Sequence, residues 1–204
     1  MQFDDLVSRI ERLTPRTPRV LIGIAGSPGS GKTTLATTLV ARLGDTAVHL
    51  PMDGFHLANA TLDRLGRRER KGSLDTFDGA GFVALLRRVR RDTHRTVYAP
   101  SFRREVDEPI AGEIAIEPSA RIVIVEGNYL LVDQEPWSDV RPLLDDAWFC
   151  DAPEDVRLKR LVERHIRGGR TPADAERFAR EVDGSNAALI ESTAHRAALR
   201  VPGF

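Results

Sequence analysis

The sequence predicts an α/β fold of three layers, in which a mostly parallel sheet is covered by helices on both faces. Two observations predict it. The short apolar runs at residues 20–25 and 121–127 have the length and composition of strands that are buried on both faces. Stretches with apolar residues at helical spacing separate such runs, and strands that alternate with helices form parallel sheets.

The individual elements follow from the same patterns and from helix start and stop signals. Predicted helices cover residues 3–13, 32–43, 57–66, 82–91, 153–169 and 171–182. Predicted strands cover residues 20–25, 47–52, 96–102, 113–117, 121–127 and 147–151. A single domain of residues 1–204 accounts for all of them. The long interval from about 54 to 120 is where an acceptor-binding insertion is expected.

Composition disfavours several partners. The 30 basic residues balance the 30 acidic ones, so the net charge favours neither nucleic acid nor an anionic membrane surface. Cys150 is the only cysteine, which excludes an internal disulfide and fits a reducing compartment. The first residues lack the apolar core of a signal peptide, and the apolar runs are too short to span a bilayer. We expect a cytoplasmic protein with no nucleic-acid or membrane partner.

Residues 26–33, GSPGSGKT, match the phosphate-binding pattern G-x-x-x-x-G-K-[ST] in full. Glycines let the backbone turn its N–H groups around a phosphate, and the following helix adds partial positive charge. Lys32 is placed to reach the β- and γ-phosphates, Thr33 to ligate Mg²⁺ and Thr34 to bond the α-phosphate. The pattern predicts a P-loop NTPase fold that binds ATP and Mg²⁺ through Gly26, Ser27, Pro28, Gly29, Ser30, Gly31, Lys32, Thr33 and Thr34.

Two other classes of P-loop protein are disfavoured. A GTPase carries an N-K-x-D motif that reads the base, and none of Lys32, Lys71 and Lys159 follows an asparagine. A motor ATPase has an Asp-Glu pair at the end of its second buried strand, whereas residues 121–127 contain one acid, Glu126.

Asp53 follows the second predicted strand, in the stretch LPMDGFH. Ligands bind outside the carboxyl ends of strands in open parallel sheets, and an acid there can accept the proton of a substrate hydroxyl. Lys32 and Mg²⁺ would meanwhile stabilise the transferring phosphoryl group. The alternative is a turn carboxylate, because Asp-Gly is a common turn pair.

Several motifs resemble the P-loop kinases of the pantothenate kinase, uridine kinase and phosphoribulokinase group. They are GSPGSGKTT, then DGFH at 53–56 with Asn59, then VYAPSFRREVDEP and IVIVEGNYLL. The stretches KGSLDTFDGAGFVALLRRVR and DGSNAALIEST are similar to a subgroup of small bacterial proteins described as nucleoside or sugar kinase-like. The resemblance covers nearly the whole chain, and its motifs occur in the order of the family.

The resemblance implies roles for particular residues. It implies that Asp53 is the general base and that Glu126 lies near Mg²⁺, directly or through water. A hydrogen-bonded structural histidine is the alternative to a substrate contact for His56. The residues implied to face the acceptor are His56, Tyr98, Arg103 and Asn128.

Residues 157–180 form a predicted lid that is rich in arginine. Arg157, Arg160 and Arg164 share one helix face through their spacing, and a Gly-Gly pair follows them. In related kinases such a lid closes over ATP, and its arginines neutralise charge on the transferring group. A solvated face is the alternative for most of them, and a helix cap or core contact for Asn186. The resemblance implies Arg164 as a catalytic residue and nucleotide contacts from Arg160, Arg170 and Asn186.

The leading hypothesis is an ATP-dependent kinase that phosphorylates a hydroxyl of a small molecule, such as a pantothenate-like compound, a nucleoside or a sugar. One rival is a nucleotide-binding regulator with little or no transfer activity. Another is a nucleoside monophosphate kinase, which needs arginines in the acceptor pocket, such as Arg103 and Arg104. Dimers are common in the resembled family, so a homodimer is possible.

Overall fold

The computed structural model describes residues 2–203 and confirms the three-layer α/β fold. Within these residues the strands are β1 (Val20–Ala25), β2 (Ala47–Pro51), β3 (Val97–Arg103), β4 (Glu108–Ile116), β5 (Ile122–Glu126), β6 (Asp146–Asp151) and β7 (Leu199–Pro202). The helices are α1 (Phe3–Glu11), α2 (Lys32–Leu43), α3 (Asn59–Arg64), α4 (Gly79–Arg91), α5 (Glu154–Arg167), α6 (Pro172–Phe178) and α7 (Gly184–Ser192).

The central sheet is parallel and has the strand order β2-β5-β1-β6-β7. Strand β1 is buried along its whole length. Val20, Ile22 and Ile24 pack in the cluster that contains α1 and α2, whereas Leu21 and Ala25 pack in the cluster that contains α4 and α7. Successive side chains of a strand point to opposite faces. Both faces of the sheet are therefore apolar, and helices cover each of them.

The chain between β2 and β5 forms α3, α4 and an antiparallel hairpin of β3 and β4. The hairpin packs against the 3-10 turn Met52–Phe55 that follows β2. A Cβ atom on Gly54 would lie 2.3 Å from the carbonyl oxygen of Pro100, so a side chain at position 54 would collide with the hairpin backbone. The glycine of the Asp-Gly pair is thus required for a close backbone approach.

Several elements differ from the sequence expectation: α7 was not predicted, and β4 begins at Glu108 rather than at 113. Strand β7 pairs in parallel with β6 at the edge of the sheet, and its four residues are too few for a recognisable pattern. The helix expected at 171–182 is divided, because α6 ends at Phe178 and a π-helical segment covers Ala179–Asp183 before α7. No helix within residues 2–203 combines the length and hydrophobicity of a membrane span.

Candidate active site

The carboxyl ends of three neighbouring strands bring the predicted catalytic residues together. Strand β1 leads into the P-loop, β5 ends at Glu126, and Asp53 comes shortly after β2 ends at Pro51. In the sheet register, Pro51 and Ile24 lie on either side of Glu126. A cavity of about 610 Å³ opens at this edge. Its lining includes Pro28, Lys32, Thr33, Asp53, His56, Glu126, Asn128, Arg164 and Arg170.

The P-loop, residues 26–33, packs against α5 and α7. The Ser27 hydroxyl donates to the Glu191 carboxylate at 2.6 Å, and the Arg157 guanidinium lies 3.6 Å from the same carboxylate. Gly29 has a φ of 79°, and a Cβ atom there would lie 2.8 Å from the carbonyl oxygen of Arg157. Only glycine fits this left-handed position against α5.

One buried polar atom of the P-loop has no protein partner. Ser30 Oγ is buried and makes no hydrogen bond within residues 2–203. A buried hydroxyl that lacks a partner costs free energy unless a ligand supplies one. This orphaned hydroxyl and the loop's glycine backbone, at the amino end of α2, fit a bound phosphate.

Glu126 is the buried carboxylate at the centre of the site. It lies 3.7 Å from the Lys32 ammonium and 3.5 Å from His49 Nε2. The Thr33 hydroxyl donates to it at 3.2 Å. Hydroxyl and carboxylate oxygens are ligands that Mg²⁺ prefers, and in kinases the ion also binds the phosphates. Thr33 and Glu126 therefore fit a Mg²⁺ ion that arrives with the nucleotide.

Asp53 is a carboxylate in a cationic environment. Burial raises its pKa, and four surrounding groups more than reverse this effect, so the pKa lies below its ordinary value. In order of strength these groups are His56, which acts only while it is protonated, and then the permanent cations Arg104, Lys32 and Arg164. Asp53 is thus ionised at neutral pH and able to accept a proton.

His56 lines the cavity three residues after Asp53. Its Nδ1 atom lies 2.8 Å from the carbonyl oxygen of Asp53. Its ring packs between those of Phe77 and Phe102, with centroids 4.0 and 4.7 Å away. Burial lowers the pKa of His56, and the charge of Asp53 opposes this only in part. The histidine is held rigidly at the acceptor side of the cavity.

Tyr98 and Arg103 lie outside the cavity, which corrects the expectation that they face the acceptor. The Tyr98 side chain is exposed on the outer face of the hairpin. Arg103 is also exposed and pairs with Glu113 on β4.

The hairpin is irregular beside these residues. The pairing of β3 with β4 shifts between Ala99 and Ser101, where residue 100 of β3 lies opposite residues 111–113 of β4. Beyond this shift Phe102 lines the cavity, and Arg104 lies 3.7 Å from the Asp53 carboxylate. The arginine beside the candidate base is therefore one position later in the chain than expected.

Two other cations of the acceptor side are already paired. Lys71 Nζ lies 2.6 Å from Asn59 Oδ1, 2.5 Å from the carbonyl oxygen of Asp107 and 3.2 Å from its carboxylate. Arg68 donates to the same amide oxygen and the same carboxylate, at 2.5 and 2.9 Å. These contacts tie the turn of the hairpin to α3 and the segment after it.

The predicted lid lies over the other side of the cavity. Arg164 and Arg170 both line the cavity. The Arg170 guanidinium lies 4.0 Å from the centroid of the Phe178 ring. Arg160 does not line the cavity but donates to the carbonyl oxygen of Gly29 in the P-loop at 3.3 Å.

Asn186 also lies outside the cavity. It is buried, and its amide donates to the carbonyl oxygen of Gly72 at 3.2 Å. This hydrogen bond is the core polar contact that was the alternative for Asn186.

A His–Asp pair between the lid and the π-helical segment was not anticipated from the sequence. His165 Nε2 lies 2.7 Å from the carboxylate of Asp183, and both residues line the cavity. The pair joins α5 to the π-helical segment across the Gly168-Gly169 turn. The two residues are 18 positions apart, and a π-helical segment has no simple periodicity, so no local sequence signal indicated this contact.

Comparisons with known proteins show the family of the chain. A model of the Phosphoribulokinase / Uridine kinase family matches residues 21–202. A Schizosaccharomyces pombe protein with a provisional uridine kinase name is 38% identical over 187 residues, which are 87% of this chain and 80% of that protein. Escherichia coli (strain K12) YggC is 34% identical over 202 residues, which are 96% of this chain and 82% of that protein.

Solved structures agree in fold. The crystal structure of a Silicibacter sp. TM1040 protein, provisionally named a fructose transport system kinase, has a TM-score of 0.91 at 38% identity. The match covers 99% of this chain and 100% of that chain. Saccharomyces cerevisiae YFH7 has a TM-score of 0.85 at 19% identity, covers 98% and 99% of the two chains, and shows the same fold. The chain belongs to the phosphoribulokinase / uridine kinase family and is a P-loop kinase.

Proposed function

We propose that this kinase transfers the γ-phosphoryl group of ATP to a hydroxyl of a small molecule. The observation that carries the proposal is Asp53, an ionised carboxylate that lines the same cavity as the P-loop lysine. A protein that only holds a nucleotide has no use for a base at this position. Uridine and fructose are candidate acceptors because relatives carry provisional names that include them, and pantothenate is a third.

The residues of the cavity have different roles in the proposed transfer. The P-loop would hold the phosphates, while Lys32 and Arg164 place positive charge where the transferring group gains negative charge. ATP with Mg²⁺, when bound, supplies the phosphoryl group and neutralises part of its charge. The acceptor oxygen forms a bond to the γ-phosphorus as the bond to the β,γ-bridging oxygen breaks. Asp53 orients the acceptor hydroxyl and takes its proton late, because an alcohol is a far weaker acid than a carboxylic acid.

The first experiment separates transfer from binding. Asp53→Asn should leave ATP affinity nearly unchanged and lower phosphoryl transfer by about 10²–10⁴-fold, the usual contribution of a general base. Lys32→Ala serves as the control for the P-loop and should impair transfer as well. Initial rates of ATP consumption with uridine, fructose, pantothenate, ribulose 5-phosphate and a nucleoside monophosphate identify the acceptor class. Unchanged turnover in Asp53→Asn would remove this residue from the mechanism.

A further inference from the structure

We propose that His165 is a positioning residue for phosphoryl transfer, which holds Arg164 at the cavity through the hydrogen bond between His165 and Asp183. The inference rests on the proposed function, in which Arg164 places positive charge near the transferring group. It goes beyond that function because it gives a role to two side chains that act through another residue rather than on the reacting atoms.

The guanidinium of Arg164 has no partner of its own in the described chain. Arg164 lines the cavity and is half-buried, and its side chain makes no hydrogen bond or ion pair within residues 2–203. Burial lowers its pKa, and the charge of Asp183 opposes this more than the charges of Asp53 and Glu126 do. A free guanidinium suits an anionic ligand, but its position then depends on the helix that carries it.

The end of the helix that carries Arg164 needs an anchor. Arg164 lies in the last turn of α5, which ends at Arg167, and Gly168 and Gly169 follow directly. Helix ends fray, and glycine gives the backbone after them additional freedom. Without a tertiary contact, this turn would not keep the arginine in one place.

His165 supplies such a contact. Its Nε2 atom lies 2.7 Å from the carboxylate of Asp183, and this nitrogen carries the hydrogen because a carboxylate oxygen accepts. Its ring also packs edge-on against Phe178, with the centroids 5.0 Å apart. Only 15% of the His165 side chain and 9% of the Asp183 side chain are exposed, so water competes little for the hydrogen bond. Two contacts of one ring therefore hold the last turn of α5.

Asp183 belongs to the body of the domain rather than to the lid. It is buried directly before α7, whose inner side is part of the core. The same helix contacts the P-loop through Glu191, which accepts a hydrogen bond from the Ser27 hydroxyl at 2.6 Å. The pair thus connects the turn that carries Arg164 to the helix that packs against the P-loop. It would thereby set the position of the arginine relative to the bound phosphates.

A polar pair suits a lid that opens and closes. Kinase lids open to admit the nucleotide and close over it. In the open state water can solvate both the imidazole and the carboxylate, so that the hydrogen bond can break and form again at a low net cost. The same pair in a merely structural role would stabilise the lid without any effect through Arg164, and the experiments below distinguish the two roles.

The first experiment compares His165→Phe with the same change at His195. Phenylalanine keeps a ring against Phe178 but cannot donate to Asp183. We expect kcat with the acceptor that the native protein phosphorylates to fall about 10- to 100-fold, as for a displacement of about 1 Å, while ATP affinity by calorimetry stays nearly unchanged. His165→Gln keeps an N–H donor and should recover part of the loss.

His195 provides the matched control. It is exposed at the end of α7, its Nδ1 atom lies 2.8 Å from a backbone carbonyl oxygen, and it does not line the cavity. His195→Phe should therefore change neither kcat nor ATP affinity. An unchanged kcat in His165→Phe would overturn the inference and leave the proposed function intact.

A double-mutant cycle with Arg164→Ala separates positioning from stability. If His165 acts through Arg164, then His165→Phe should have little further effect on kcat once the arginine is absent. The same fold loss in both backgrounds would show that the histidine is only structural, which would also overturn the inference.

Hydrogen exchange gives a readout that does not depend on activity. Amides of residues 162–170 should exchange faster in His165→Phe and in Asp183→Leu than in the native protein. Asp183→Asn keeps an accepting oxygen and should exchange like the native protein. Unchanged exchange in both of the first two variants would contradict the anchor. Absence of transfer by the native protein to every acceptor would instead contradict the proposed function, and the exchange rates would still decide whether the pair holds this turn.

Discussion

Single side chains set the protonation state of the candidate base. Asp53 keeps a low pKa although burial opposes it, because cationic groups surround it. Arg104 is the one that lies at an ion-pair distance, 3.7 Å, and 59% of its side chain is exposed. Its neighbour Arg103 has the same exposure but lies on the other face of the hairpin, paired with Glu113. The chain thus offers two adjacent arginines, one that acts on the base and one that does not.

Arg104→Gln should shift the acid limb of the pH–rate profile to higher pH. The base works when it is deprotonated, so a lower pKa extends activity to lower pH, and removing a nearby positive charge raises that pKa again. Because Arg104 is largely exposed, we expect the shift in the pH dependence of kcat/KM to be modest. Arg103→Gln is the matched control and should leave the limb in place. Equal shifts in both variants would contradict the assignment of Arg104.

The residues that sequence reasoning placed well are those whose position depends on the local backbone. The P-loop and Glu126 follow directly from a buried strand, and Asp53 follows two residues after one. The contact of Arg104 with Asp53 and the His165–Asp183 pair each join two segments that are distant in the chain, and such contacts have no local sequence signature. Site residues close to the end of a strand could be predicted from the local sequence. Site residues that depend on a contact between two distant segments could not.

At the scale of elements, the candidate base belongs to a turn that is clamped by the hairpin. The turn Met52–Phe55 packs against β3, and the backbones approach so closely at Gly54 and Pro100 that a Cβ atom on Gly54 would not fit. The same hairpin supplies Phe102 and Arg104 to the cavity. A movement of the hairpin would therefore also move Asp53, because this contact joins the hairpin to the turn that carries the base.

Gly54→Ala should lower phosphoryl transfer more than it lowers ATP affinity. A Cβ atom at position 54 would lie 2.3 Å from a carbonyl oxygen and 3.1 Å from a backbone nitrogen, so the turn or the hairpin must move. Backbone shifts caused by overpacking typically cost about 1–3 kcal/mol, and a base displaced by about 1 Å loses on the order of 10²-fold in rate.

The matched control for this variant is Gly184→Ala at the start of α7. Neither glycine has a left-handed φ, and the added Cβ atom at 184 would meet its nearest neighbour at an ordinary distance of 3.8 Å. The control should therefore be neutral or slightly stabilising. Steady-state rates and calorimetric ATP affinity measured on both variants distinguish the two cases. Equal behaviour would exclude the clamp.

At the scale of the whole molecule, one arginine joins three parts of the fold. Arg19, just before β1, is fully buried and donates to the carbonyl oxygens of Ala120, Val89, Glu117 and Asp92 at 2.8–3.3 Å. These carbonyls belong to the end of α4 and to the segment before β5. Sequence reasoning could not find this role, because 27 of the 30 basic residues are arginine and position 19 reads as a loop.

Arg19→Met should destabilise the protein strongly without touching the cavity. Methionine can fill much of the space of the side chain but leaves buried carbonyl oxygens without donors, at about 1–3 kcal/mol for each unmet group. Relaxation of the structure and entry of water should offset part of this cost. We therefore expect the free energy of unfolding to fall by about 3 kcal/mol, which corresponds to a Tm about 6–12 °C lower for a chain of this size. Arg121→Met is the control, because Arg121 also donates to three carbonyl oxygens but is exposed, and water can replace it. Urea unfolding of both variants measures the difference, and a loss as large for Arg121→Met would refute burial as the cause.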